Sequence, residues 1–496
     1  MATPRLRRIA ATLGALACLA AAPVSTVRAA TIVVVNGNVG ELGFNDPTTA
    51  TPVGGNNGTT VGQQRLIAFQ HAADLWGALL ESPVEIRIRA TFDPLDCEAS
   101  SGVLGAAGPT RMVMDFSGAP LGGTWYPVAL ANRIAGTDLF PGSDDIVAQF
   151  NSDVGSTGCL EGSHWYYGLD NAHGDGTDLV TVLLHEFGHG LGFISLVDDG
   201  SGQEFNGSPD VFETLIRDAS TGKHWNEMTD AERGASSINS GNVVWAGASV
   251  TTAVPTTLAG LPVLTVTSPQ DLAGDYEIGT ASFGGDLTVG GISAPLVAAV
   301  DPASGTEDTA TDACSALTNA GAIAGKVALV DRGNCFFVVK AANVQAAGGR
   351  AIVIVNNDGG TIPPGLGGDD PALTIPAISL TQADGNALRA ALSTGVSVSL
   401  RVNSRRLAGA GLENRAILFS PNPVQPGSST SHWDTGAVPN LLMEPNINDD
   451  LPHAVDLTLP LLRDIGWKSD TDPGTEGRQT PEDADATRQP AKVIRP

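Results

Sequence analysis

The stretch Thr181–Phe193, TVLLHEFGHGLGF, decides how this chain is read. Residues four apart on a helix are neighbours on one face, so His185 and His189 would offer two imidazoles to one point. Glu186 lies at the edge of that same face. The run from Leu179 to Leu191 is long and apolar enough for a buried helix, with Thr177 or Asp178 placed to cap it. Gly188 weakens such a helix by about 1 kcal/mol relative to alanine, a cost explained if another element packs closely there. A catalytic zinc takes three protein ligands and a water. Ser195, however, stands where a third histidine often follows this pattern.

With 496 residues the chain has room for more than one domain. Its first stretch, MATPRLRRIAATLGALACLAAAPVSTVRA, has an arginine-rich start, a short apolar run and small residues ending at Ala29. That pattern is a secretory signal, residues 1–29, and predicts an extracellular or periplasmic protein. No later run is long enough to span a bilayer. The formal net charge is −26, and the signal holds four arginines and no acids. Partners that need basic patches, nucleic acid and anionic membrane, are therefore excluded as expectations. Beyond the signal, four cysteines remain: Cys97, Cys159, Cys314 and Cys335. Pairing Cys97 with Cys159 and Cys314 with Cys335 keeps each bridge inside one proposed domain. The acidic stretch VDDGSGQEFNGSPD (197–210) offers oxygens to Ca2+ without a clear binding motif.

TIVVV (31–35) reads as a first strand, QRLIAFQHAADLWGALLES (64–82) as an amphipathic helix and VEIRIRATF (84–92) as a half-buried strand. DDIVAQFNS (144–152) is a further strand candidate, and a strand beside the active helix is where an extended peptide could pair. Composition shifts near Leu261, and up to about Asn403 the chain is rich in Gly, Ala and Val. Within this region, GKVALVDRGNCFFVVKAANVQAAGGRAIVIVNN (325–357) reads strand, helix, strand, with Gly348-Gly349 as the stop. After it, DLTLPLLRDIGW (456–467) reads as a closing helix capped by Asp456. From Lys468 onward the tail is Asp, Glu, Thr, Pro and Gly without aromatics, which predicts disorder.

The 325–357 segment and the later TIPAISLTQADG (374–385) resemble the protease-associated (PA) domain. The resemblance implies a non-catalytic module that gates or binds substrate. The resulting organisation is a protease domain over 30–262, an inserted PA domain over 263–403, the rest of the protease domain over 404–468 and a disordered acidic tail over 469–496.

The third ligand has several candidates: His164, His173, His224, His432, His453 and Glu213. Glu213 lies at a workable distance for a glutamate ligand, but Phe212 stands where an asparagine would precede it. His432 lies in SHWD and is followed by LMEP, which contains Met443. HEFGHGLGF, SHWD and LMEP, in that order, resemble the leishmanolysin-type metzincins, whose third histidine arrives after a long insertion. The resemblance implies His185, His189 and His432 as zinc ligands, Glu186 as the catalytic base, Met443 as the methionine turn and Gly192 as the end of the helix. Asp434 is placed to orient an imidazole, and Trp433 reads as packing. A separation of hundreds of residues is no obstacle, because loop-closure entropy grows only logarithmically.

The fold expected is α+β: a metzincin-like zinc protease domain, twisted sheet plus active-site helix, interrupted by a β-rich α/β PA domain. The function expected is a secreted zinc-dependent endopeptidase acting on protein or peptide substrates through a zinc-held water activated by Glu186. Two alternatives stand beside it. One is an amino- or carboxypeptidase, because PA domains accompany those enzymes too, mostly on two-metal sites built from Asp and Glu. The other is a catalytically inactive PA-domain binding protein. Specificity and oligomeric state are not legible.

Overall fold

A computed structural model describes residues 29–303, 309–360, 363–468 and 492–494. The secretory signal expected over 1–29 lies almost wholly outside the described residues. Among the described residues no helix is long and apolar enough to cross a membrane.

The N-terminal part is built on a four-stranded mixed sheet. Strand β1 (Ile32–Asn36) leads through helix α1 (Val61–Leu79) to β2 (Ile86–Asp93) and then β3 (Gly105–Pro109). After β3 come β4 (Met112–Met114), β5 (Trp125–Pro127), helix α2 (Val128–Ala135) and β6 (Ile146–Asn151). The order across the sheet is β1-β2-β6-β3, with β1, β2 and β6 parallel and β3 antiparallel on the edge. Helix α3 (Leu179–Leu191) carries the HEFGH motif and lies on β3 and β6 beside α1. The apolar positions read from the sequence make this seam. Phe69 of α1 meets Phe150 edge-on at 4.7 Å, and the Trp76 indole donates to the Leu184 carbonyl at 3.1 Å. Every residue of α3 is buried.

The strand that flanks the cleft is β3, not the DDIVAQFNS segment. That segment forms β6, interior to the sheet and paired on both sides. β3 reads GAAGP, whose glycines and alanines carry little strand propensity, so the sequence pattern did not disclose it.

One hydrophobic core draws on residues 30–258 and on 416–467. The two stretches are tied at several points. Trp245 N–H donates to the Ala416 carbonyl at 2.8 Å. The Asp464 carboxylate, on the closing helix Thr458–Ile465, accepts from Ser249 N–H and Val250 N–H at the start of helix Ala248–Thr257. Between them the chain leaves along Gly260–Ser268 and returns along Ser397–Leu407, an antiparallel pair. These strands belong to an eight-stranded sheet with separate cores on its two faces. Val327–Asp331 and Ala351–Val355 pair in parallel through helix Phe337–Ala346, the crossover that the sequence suggested. Gly348 takes a positive φ of 77° just past that helix.

The cysteines pair as expected, Cys97 with Cys159 and Cys314 with Cys335. The tail departs from expectation at its far end. Residues 469–491 lie outside the described residues, but Lys492–Ile494 pairs antiparallel with β4. Two consecutive β-branched residues, Val493 and Ile494, favour extended backbone locally, and an average over the acidic tail hides them.

Candidate metal centre

Helix α3 begins where the sequence suggested. The Asp178 side chain accepts the Thr181 N–H at 2.8 Å, while its other contact, His453 Nε2 at 3.0 Å, was not foreseen. The helix ends at Gly192, whose φ of 126° suits glycine, and the chain turns sharply under the site. A Cβ on Gly188 would sit 2.9 Å from the Met443 Sδ, so the missing side chain is what lets that buried methionine lie against the helix. A Cβ on Gly190 would fall 2.5 Å from Ile146 of β6.

His185, His189 and His432 come together. The His189 Nε2 atom lies 3.2 Å from His185 Nε2 and 3.2 Å from His432 Nε2. Among the described residues this is the one group of three or more His, Cys, Asp or Glu side chains close enough to share an ion. Each ring is fixed from behind by a backbone carbonyl. His185 Nδ1 faces the Leu442 oxygen, His189 Nδ1 the Phe193 oxygen and His432 Nδ1 the Ser428 oxygen, all at 2.7 Å. A carbonyl only accepts, so each Nδ1 carries the proton and each Nε2 is left with a bare lone pair. Three such lone pairs facing one another in a buried pocket repel unless a cation sits between them. Zinc bonds of about 2.0–2.1 Å at tetrahedral angles separate neighbouring nitrogens by about 3.3 Å, close to the spacing found. The donor set therefore fits zinc.

Burial keeps the rings neutral: it is the main cause that moves His185 down to about 3, His189 down to about 4 and His432 well below its ordinary value. Burial acts oppositely on Glu186, raising its carboxyl to about 8, with a partial offset from the Ala107 N–H of β3. That contact aims Glu186 across the cleft towards the sheet edge. A Cβ on Gly105 would lie 3.2 Å from the Glu186 Cγ, so glycine allows β3 to approach this closely.

The cleft over the three histidines has a volume of about 1280 Å³. Its walls are Ser100–Ala107 on the sheet side, Asp198–Gly200 after the helix and Pro445–Ile447 just after Met443. Among the described residues, Asp198 and Asp199 are the carboxylates in its wall besides Glu186, and no Lys or Arg lines it.

The remaining candidates lie elsewhere. Glu213 is fully buried in an acidic pocket with Asp210, beside the Arg233 guanidinium at 3.7 Å. Burial and the neighbouring carboxylates raise it to about 8. His164 is exposed, His173 bridges the Gly176 and Asp449 carbonyls, and His224 faces the Thr214 carbonyl. Asp434 does not orient an imidazole: it accepts the Gly436 N–H, and the Ser428 carbonyl takes that role for His432. Trp433 packs edge-on against Phe193 at 5.1 Å. Ser195, in the place of the absent nearby histidine, donates its N–H to the Ser431 hydroxyl, next to His432. The carbonyl partners were beyond sequence reading, because any residue type supplies a carbonyl.

Residues 292–388 match the PA domain family. ER degradation-enhancing alpha-mannosidase-like protein 3 of Xenopus laevis is 37% identical over 152 residues, 28% of this chain and 16% of that protein. Aminopeptidase YwaD of Bacillus subtilis (strain 168) is 30% identical over 128 residues, 25% of this chain and 26% of that protein. Among solved structures, a zinc aminopeptidase from Bacillus subtilis is similar over 31% of this chain and 36% of its own, with a TM-score of 0.22 and 22% identity. The chain thus spans only a small part of these relatives. The PA domain is present in a mixed α/β chain, and the three histidines fall outside the matched residues. The resemblance to leishmanolysin-type metzincins stands on the motif residues alone.

Proposed function

We propose that this chain is a zinc-dependent peptidase with His185, His189 and His432 as metal ligands and Glu186 as the base. The observation that carries the reading is the tautomer arrangement: three buried imidazoles, each with its proton committed to a carbonyl, turn three lone pairs to one point. Zinc, when bound, would supply a Lewis acid that polarises the scissile carbonyl and makes a water acidic near neutral pH. Glu186 accepts a proton from the attacking water and delivers it to the leaving amine. Its raised carboxyl in the metal-free protein falls back towards the charged form beside a divalent cation, so it can serve in both directions.

The endopeptidase reading is supported by the cleft, which runs along the edge of β3, unpaired among the described residues, where an extended chain can add as a strand. The exopeptidase reading is supported by the aminopeptidases among the relatives and by Asp198 and Asp199 in the cleft wall, charges suited to a substrate α-ammonium. Against a two-metal exopeptidase stands the ligand group itself, three histidines without a carboxylate. Hydrolysis of internally quenched peptides with both ends blocked separates the two. Chelator-sensitive cleavage of blocked peptides supports internal cutting. Cleavage only when the amino terminus is free supports the aminopeptidase reading, and no hydrolysis of either class or of casein defeats the proposal.

A further inference from the structure

The turn Leu441–Glu444 holds two ligands at once. The Leu442 carbonyl accepts from His185 Nδ1, and the Met443 carbonyl accepts the N–H of Trp433, next to His432, at 2.7 Å. A displacement of this turn would therefore move both rings. Two acids fix it, the buried Glu444 and the half-buried Asp456. Glu444 Oε1 accepts the Leu441 N–H at 2.8 Å from within the turn. Asp456 acts from outside: its Oδ2 accepts the Leu442 N–H at 2.5 Å, while its Oδ1 accepts the Thr458 N–H at 3.1 Å and the Thr458 hydroxyl at 3.0 Å. Asp456 is not the cap that the sequence suggested: the N-cap of the closing helix is Leu457, without a side-chain cap, and Asp456 Oδ1 closes a local turn onto Thr458. The second oxygen of Asp456 serves the Leu441–Glu444 turn, not the helix. Leu442 is thereby held on both sides of its Cα, by Asp456 at its N–H and by His185 at its carbonyl.

We propose that Asp456 is a positioning residue for the metal centre, fixing Leu442 so that its carbonyl orients His185. The inference rests on the zinc reading above. Groups that orient a metal ligand from behind commonly account for 10–100-fold in metal affinity.

The test measures zinc affinity of the full chain by chelator competition, with the absorption spectrum of the cobalt(II) form and the melting temperature of the metal-free form. Asp456→Ser keeps a hydroxyl for the Thr458 N–H but is too short to reach Leu442. Asp456→Asn places an amide N–H against one of the N–H donors. Thr458→Val removes only the hydroxyl contact on the helix side. Asp456→Ser and Asp456→Asn are expected to bind zinc about 10–100-fold more weakly with a shifted cobalt spectrum, while Thr458→Val keeps wild-type affinity even if its melting temperature falls. Asp456→Glu, which keeps the charge but displaces the oxygens by one methylene, is expected to show the same weakening. Wild-type affinity in the Asp456 variants, or equal weakening in Thr458→Val, overturns the proposal. Wild-type protein that takes up no zinc overturns instead the reading beneath it.

Discussion

Replacing Glu186 by Gln tests the electrostatics of the site in the absence of metal. The carboxyl ordinarily titrates near 4.5 and stands at about 8 in the folded, metal-free chain, chiefly through burial. An acid raised in this way favours the folded state fully below its unfolded value, and that advantage is lost as pH climbs from 4.5 towards 8. At pH 7 the unfolded carboxyl is ionised while the folded one holds its proton, a difference of up to about 3 kcal/mol. Glutamine is nearly isosteric, accepts the Ala107 N–H and has no proton to lose. Metal-free Glu186→Gln is therefore expected to be more stable than wild type by about 1–3 kcal/mol at pH 7, and equal to it near pH 4. Urea unfolding of both proteins in chelator, at the two pH values, reads the difference directly. The same variant should lose peptide hydrolysis by about 10²–10⁴-fold or more while still binding zinc. A variant no more stable than wild type at pH 7, or equally stabilised at pH 4, would refute the reasoning.

The histidines give the opposite pH dependence. His185, at about 3, and His189, at about 4, resist protonation when folded, whereas the unfolded chain takes up protons near 6.5. Metal-free protein should hold its stability above about pH 6.5 and lose about 1.4 kcal/mol per histidine per pH unit below it. Urea midpoints in the Glu186→Gln background isolate this slope, and a flat profile between pH 7 and 5 contradicts it. Gly190→Ala should destabilise by about 1–3 kcal/mol, since the new methyl meets the branched Ile146 side chain at 2.5 Å. A gain of about 1 kcal/mol, the ordinary benefit of alanine in a helix, would show that α3 is not pressed against β6.

Much of this arrangement could be read from the chain because it rests on patterns with a physical period. The helix carrying His185 and His189, its cap at Asp178 and the strand–helix–strand unit around Phe337–Ala346 all follow from apolar spacing and capping chemistry. The glycine at 188 was legible as a close approach, and Met443 is what approaches. The structure also brings His432 to the pair it was matched with, 243 residues away. What escaped has equally physical reasons. β3 is made of residues without strand propensity, and its role comes from its place at the sheet edge. The carbonyls of Leu442, Phe193 and Ser428 that fix the imidazoles leave no trace in side-chain identity. Asp434 reads as an orienting acid by adjacency alone, but the His432 ring meets the Ser428 carbonyl and Asp434 accepts the Gly436 N–H.

Metal content of purified wild type, His432→Ala and Glu213→Ala, each with its peptidase activity, bears most directly on the central claim. Wild type and Glu213→Ala should each carry a single tightly held zinc if folded, and His432→Ala should lose both metal and activity. Zinc and hydrolysis retained in His432→Ala, or an ion lost with Glu213 rather than with His432, would contradict the three-imidazole centre.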